Sequence, residues 1–196
     1  CESTFIIFRN AEEKTVTGKN YPQPYVLTTI HTPWKVKFEE RRQGPKESVV
    51  FNTLTDWITS EDPRIKYYSG TADYTNTFTI KEIPSQPTYI NLGKVVAMAK
   101  VYLNGKYVGG AWTYPYRLNI TDYLQKGENT VKIEVVNNWV NRLIGDLKLP
   151  AEQRSTWTMV NPWRDDSQLQ SSGLFGPVRI ESHDYELLKF SPLSDN

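Results

Sequence analysis

Apolar residues recur at every second position in run after run of this chain. Trp34, Val36 and Phe38 alternate with Lys35 and Lys37. Tyr74, Asn76, Phe78 and Ile80 alternate with Thr75, Thr77 and Thr79. Val131, Ile133 and Val135 alternate with Lys132, Glu134 and Val136, and Val178 and Ile180 with Arg179 and Glu181. Successive side chains of a strand point to opposite faces, so each run can place one face in a core and leave the other wet. No long window carries apolar residues at the helical spacing i, i+3, i+4, i+7. Short helical turns are expected only near residues 54–58 and 141–147.

Turn signals separate the runs. Asn104-Gly105 lies between residues 100–103 and 106–108. A type I′ turn needs positive φ at both central residues, which Asn-Gly tolerates, so this is a hairpin. A Lys126-Gly127-Glu128-Asn129 turn precedes the strand over 130–136, and Gly176-Pro177 opens the last clear strand. Many short strands with regular turns predict an all-β fold, an antiparallel β-sandwich or jelly roll. Its core should include Trp34, Val36, Phe38, Phe78, Val101, Leu103, Ile133, Val135 and Val178. The sandwich is expected over residues 33–190. Residues 1–32 differ: Phe5-Ile6-Ile7-Phe8 reads as a strand, followed by a polar stretch and a Pro-containing one. They read as the tail of a preceding domain plus a linker, and 191–196 as a C-terminal tail.

Composition narrows the chemistry. The 196 residues are too few for a (β/α)8 barrel of typical size, roughly 250 residues. Hydrophobic residues make up 38% and charged residues 23%, a globular balance. A net charge of +1 gives no electrostatic reason to expect nucleic acid or an anionic membrane as partner. The single cysteine, Cys1, excludes an internal disulfide framework and a Cys-based zinc site. Two histidines, His31 and His183, are too few for a His-rich metal site and count against a Ser-His catalytic unit. Gly-Lys at Gly18, Gly93 and Gly105 is followed by Asn20, Val95 and Tyr107, not by the Ser or Thr of a P-loop. No cofactor is required by any motif. Calcium held by scattered loop oxygens stays open, because such ligands need not be close in sequence. The chain lacks a starting Met and a signal peptide, and is read as a piece of a longer protein.

Glycoside hydrolysis needs two carboxylates, one to protonate the leaving group and one to attack or to activate water. Asp165-Asp166 is the closest pair in sequence, but neighbours on a strand face opposite ways, and a solvated loop is the simpler reading. Asp56, Asp62, Asp73, Asp122 and Asp146 read as turn and capping residues. Two aromatic, polar clusters remain. One runs from Trp112 through Tyr114 and Tyr116 to Arg117. The other joins Asn137, Asn138, Trp139, Asn141 and Arg142 with Asp146, and extends to Trp157 and Trp163. A sugar site needs a flat apolar face for C–H groups and planar or charged groups for hydroxyls. Trp112, Tyr114, Tyr116, Arg117, Trp139, Asn141 and Arg142 are therefore candidate carbohydrate-binding residues. The alternative is that the rings pack at a rim, while Arg142 pairs with Asp146 across one helical turn to pin a loop.

A motif series now points to a family. Tyr68-Ser69-Gly70-Thr71-Ala72-x-Tyr74 resembles a strand of sugar-binding-like jelly rolls in large glycoside hydrolases. Leu92-Gly93-Lys94-Val95, then Ala99-x-Val101-x-Leu103-Asn104-Gly105-Lys106, resembles their hairpin. Gly110-x-Trp112-x-x-Pro115, Asn119-Ile120-Thr121 and Leu124-x-x-Gly127-x-Asn129 continue the pattern. Val135-Val136-Asn137-x-Trp139-x-Asn141-Arg142-Leu143-Ile144-Gly145-Asp146 and Ser172-Gly173-Leu174-x-Gly176-Pro177-Val178 complete it. Order and spacing resemble the galactose-binding-like domain of glycoside hydrolase family 2. They resemble more closely the C-terminal β-sandwich of family 106 α-L-rhamnosidases. The likeness runs from about Trp34 to Glu181, and Ser3–Arg9 resembles the end of the domain preceding this one in those enzymes.

In such enzymes the catalytic carboxylates lie on a (β/α)8 barrel. The resemblance thus implies a non-catalytic accessory domain of a secreted or periplasmic rhamnosidase acting on plant polysaccharides. Its implied partners are the catalytic domain of the same parent chain and a plant-type carbohydrate, with no nucleic acid and no membrane. An autonomous carbohydrate-binding module and a purely structural or protein-interaction sandwich are the alternatives.

Overall fold

The computed structural model describes residues 16–17, 24–183 and 189–190. The strand expected over 5–8 and the tail 191–196 lie outside the described residues. The strands are β1 (Val16–Thr17), β2 (Pro24–Thr29), β3 (Trp34–Phe38), β4 (Val49–Phe51), β5 (Thr71–Ile80), β6 (Thr88–Asn91) and β7 (Lys94–Val96). They continue with β8 (Met98–Leu103), β9 (Lys106–Ala111), β10 (Arg117–Asn119), β11 (Gly127–Val136), β12 (Gly173–Gly176), β13 (Arg179–His183) and β14 (Lys189–Phe190). Two α-helices are described: α1 (Pro63–Lys66) and α2 (Val140–Leu147). A 3-10 turn covers Trp57–Thr59. It and α2 occupy the two places where helical turns are expected from the sequence.

A six-stranded sheet runs β4-β3-β5-β11-β8-β9, and a four-stranded sheet runs β10-β6-β13-β2. Every ladder between named strands is antiparallel. Strand β2 falls in the stretch read as linker, and it pairs with β13 as an edge of the four-stranded sheet. The central ladder is β5 against β11, ten residue pairs from Gly127↔Ile80 to Val136↔Thr71. Ala72, Tyr74, Asn76, Phe78 and Ile80 face inward, as do Val131, Ile133 and Val135. Ile90 and Ile180 of the smaller sheet join the same buried cluster, so the two sheets share one core. All nine residues expected in the core are buried. Asn104 and Gly105 have φ of 51° and 79°, the positive pair that a type I′ turn demands.

Strand β13 departs from simple alternation. A bulge between Ile180 and Glu181 shifts its register against β2, and Glu181 is buried rather than wet. Its carboxylate accepts from Asn91 Nδ2 at 3.1 and 3.2 Å, which offsets the cost of burying it. Asp73 also departs from the turn-or-cap reading. It lies within β5 on the outer face, with Lys132 Nζ 3.9 Å from its carboxylate.

Aromatic rings close one side of the core. Phe38 lies edge-on to Tyr68 and Trp57, with centroids 4.8 and 5.4 Å apart, and Trp34 lies edge-on to Tyr74 at 6.3 Å. Edge-to-face pairs add about 0.5–1.5 kcal/mol to what their burial contributes. The polar tips are partnered: Trp57 Nε1 donates to Tyr74 Oη at 2.6 Å, and Tyr68 Oη donates to the carbonyl of Thr71 at 2.6 Å. Tyr74→Phe strands a buried indole N–H. It should cost about 1–3 kcal/mol in chemical denaturation. The added Trp57→Phe change should cost less on that background than alone, because the orphaned donor has gone; equal costs on both backgrounds would refute the pairing.

Candidate functional site

Register fixes which loops meet. Phe38 opposes Ala72, Thr71 opposes Val136, Val136 opposes Met98, and Ala99 opposes Ala111. Strands β3, β11 and β9 therefore end, and β5 and β8 begin, at one end of the six-stranded sheet. Trp112 leaves β9 and Asn137 leaves β11 at that end. The two strands are separated by β8 alone, a spacing of roughly 10 Å. Both aromatic clusters marked in the sequence thus start from the same end of the sandwich.

Their members have different fates. Trp112 and Tyr114 are 72% and 70% exposed, and Trp139 is 50% exposed. The Arg42 guanidinium carbon lies 4.9 Å from the Trp139 ring centroid, a cation–π contact. Tyr116 is half-buried against the core. Arg117 lies over the Tyr89 ring at 4.8 Å, and its Nη1 donates to His183 Nε2 at 3.1 Å. Burial, then the Arg117 charge, hold the His183 imidazole below its ordinary pKa.

Asn141 and Arg142 are interior groups. Asn141 Nδ2 donates to the carbonyl of Gln170 at 2.7 Å and to Ser172 Oγ at 3.1 Å, and its Oδ1 accepts from the Gln170 amide at 2.8 Å. Asn137 does parallel work: Nδ2 donates to the Tyr68 carbonyl at 2.8 Å and Oδ1 accepts from the Gly70 amide at 2.9 Å. Asp56 caps the 3-10 turn through the Ile58 amide and also accepts from the Ser172 amide at 2.9 Å. Carboxamides can both donate and accept, so two Asn side chains stitch β5, β11 and the segment before β12 where no ladder reaches. Asn137 and Asn141 stand out in the sequence; Ser172 as their common partner does not, because its role depends on loop path.

Helix α2 seats on Tyr67 through Gly145. A Cβ there would lie 2.6 Å from Tyr67 Cβ, closer than van der Waals contact allows. One turn of this helix carries the ion pair that the spacing allows: Arg142 Nη2 to Asp146 Oδ1 at 2.7 Å, with both side chains more than nine-tenths buried. Asp146 Oδ2 accepts four further bonds, from the amides of Ser155 and Thr156 at 2.9 and 2.8 Å and from their hydroxyls at 3.1 and 2.7 Å. Burial works against the carboxylate. The Thr156 hydroxyl and the Arg142 charge outweigh it, so Asp146 stays below the usual carboxylate range. Trp157, next along the chain, is 85% exposed, as is Met159, and Val160 is 73% exposed.

Asp165 and Asp166 are exposed on a loop. Among the described residues, no group of three or more His, Cys, Asp or Glu comes together as for a metal. No helix among them is long and apolar enough to cross a membrane.

A carboxyl whose folded pKa is depressed adds stability above its unfolded pKa, about 3.9 for Asp. That contribution fades as pH falls toward the lower folded value. Residues 155–157 should therefore loosen below about pH 4. The readout is Trp157 emission against pH. Asp146→Asn should show the loosened emission already at neutral pH; an identical titration in both proteins would refute the clamp.

Comparison with known proteins places this geometry. The family model described as "Glycosyl hydrolase 2 galactose-binding domain-like" matches residues 34–167. A putative beta-glucuronidase of Formosa agariphila is 34% identical over 201 residues, covering 88% of this chain and 17% of that protein. A beta-galactosidase of Priestia megaterium is 31% identical over 201 residues, covering 96% of this chain and 18% of that protein. Among solved structures, a rhamnosidase from Novosphingobium sp. PP1Y matches at 38% identity and a TM-score of 0.78, over 84% of this chain and 16% of that one. A beta-D-glucuronidase from Dictyoglomus thermophilum, at 20% identity and a TM-score of 0.57, shares the fold alone. The chain spans less than a fifth of the length of the Formosa and Priestia proteins.

Proposed function

The chain belongs to the glycosyl hydrolase 2 galactose-binding domain-like family, and from that premise we propose that it is a non-catalytic accessory domain of a longer, α-L-rhamnosidase-like glycoside hydrolase. The observation that carries the reading is its likeness, at 38% identity and a TM-score of 0.78, to a 16% share of a rhamnosidase. The buried carboxylates support it. Asp146 binds backbone amides and an arginine, and Glu181 binds an asparagine amide. Groups so engaged hold a fold and are poorly placed to exchange protons with a substrate.

In this reading the domain packs on the catalytic domain of its own parent chain and shapes the surroundings of the active site. The exposed Met159 and Val160 suit such a contact, because an apolar surface left in water is unfavourable until covered. The parent is a periplasmic or secreted enzyme of polysaccharide breakdown. A second reading, an autonomous carbohydrate-binding module, is favoured by Trp112, Tyr114 and Trp139, whose rings emerge at one end of the sandwich.

Two measurements separate these readings. Assayed on an aryl α-L-rhamnoside, the isolated chain should give no turnover, and removing it from the parent should destabilise the parent; a rate matching a whole enzyme would overturn the accessory reading. Calorimetric titration with L-rhamnose, D-galactose, D-glucuronate and rhamnogalacturonan oligosaccharides, with and without calcium, tests the second. Saturable heat at about millimolar affinity, roughly −4 kcal/mol, would establish a binding module. No heat with any ligand would remove it.

A further inference from the structure

A groove of about 420 Å³ runs between α2 and the segment over residues 151–161. Trp157, Arg154, Thr156, Thr158, Asn161 and Asp146 line it. Its chemistry is mixed in a specific way. Trp157 offers a broad apolar ring that is 85% exposed. Arg154 is held through its Nε to the Leu149 carbonyl at 3.0 Å. Asn161 is held through its Oδ1, which accepts from the Trp163 amide at 3.1 Å. Thr158 Oγ1 donates to the Val160 carbonyl at 3.0 Å. An aromatic face beside anchored planar and hydroxyl groups suits a pyranose, which has an apolar C–H face and a polar rim.

The anchoring makes this more than a list of suitable residues. The residue before Trp157 is fastened by two bonds to Asp146 Oδ2, at 2.8 Å from its amide and 2.7 Å from its hydroxyl. Asp146 is itself buried and paired with Arg142. Two charges are thus taken out of water, at a cost, to fix the chain beside an exposed ring. A ring held in place before its ligand arrives loses little freedom on binding, which is how preorganised sites gain affinity. Packing in the core does not require this arrangement, because Trp157 contributes almost nothing to the core.

We propose that the groove between α2 and residues 151–161 binds a pyranose unit of an oligosaccharide, with Trp157 as the stacking face and Arg154 and Asn161 as partners for its hydroxyls. The proposal rests on reading the chain as a domain of a carbohydrate-active enzyme. It places sugar contact on Trp157 rather than on Trp112 and Tyr114.

The test is a titration of the isotope-labelled 196-residue chain with L-rhamnose, D-galactose and D-glucuronate, following the indole N–H signals of its six tryptophans by NMR. One sugar should shift the Trp157 signal saturably. By calorimetry with that sugar, Trp157→Ala should weaken binding about tenfold or more, a loss of about 1.4 kcal/mol. Trp157→Phe should retain most of the affinity, and Met159→Ser should leave it unchanged. Retained thermal unfolding midpoints would show that the variants fold. Shifts at Trp112 or Trp139 with Trp157 silent would overturn this site while leaving sugar binding by the domain intact. Unchanged affinity in Trp157→Ala would overturn it too, as would no shift with any sugar. In that last case the accessory reading still stands or falls on the deletion experiment. If amide exchange at residues 157–158, without sugar, is slower in the parent protein than in the isolated chain, the ring faces protein and the proposal falls.

Discussion

Ten residue pairs of β5 and β11 set the frame on which everything else hangs. Side-chain direction in a strand has period two, so a slip of β11 by one residue would turn Val131, Ile133 and Val135 out into water together. At about 1.5–3 kcal/mol for each large apolar side chain, that penalty is comparable with the whole stability of an ordinary domain. The register is therefore fixed, and with it the end of the sheet from which Trp112 and Asn137 depart. At the other end of the ladder, Asn104 and Asn129 lock the hairpin. Asn104 Oδ1 accepts from the Thr130 amide at 2.9 Å, and its Nδ2 donates to Asn129 Oδ1 at 2.9 Å. The Leu-Asn-Gly and Gly-x-Asn motifs thus have a physical reason: the turn needs positive φ, and the lock needs two carboxamides.

Much of this is legible in the amino-acid order. Alternation at Trp34–Phe38 and at Val131–Val135 reports strands with one buried face, and the strands are there. The Arg142–Asp146 spacing allows an ion pair across one turn, and the pair forms. Glu181 is not legible, because its partner is Asn91, ninety residues away in sequence. Asp73 is a turn residue by type, yet β5 runs straight through it, since tertiary pairing overrides local preference. Among the candidate sugar-binding residues, type alone does not separate exposed rings from interior polar groups. Trp112 and Asn141 sit in equally polar, aromatic stretches, but one is 72% exposed and the other 0%. Neighbours distant in the chain decide that difference.

The division of labour has a chemical logic. Asparagines can satisfy donors and acceptors at once without burying a charge, so they suit the seams between strands and loops. At Arg142 and Asp146 two buried charges form one pair, and the Asp146 carboxylate is also bonded to the chain beyond the helix. Family membership and fold leave the domain's binding properties open, and surface rings and grooves have to supply them.

That buried pair also joins two pieces of the molecule. The segment over 151–160 is almost wholly exposed and has little packing to keep it in shape. Four bonds from residues 155 and 156 to one carboxylate tie it to α2. Helix and loop are therefore joined at the Asp146 carboxylate. Because Gly145 seats α2 against Tyr67, a larger residue there would shift the helix, and with it the carboxylate that holds the residue before Trp157.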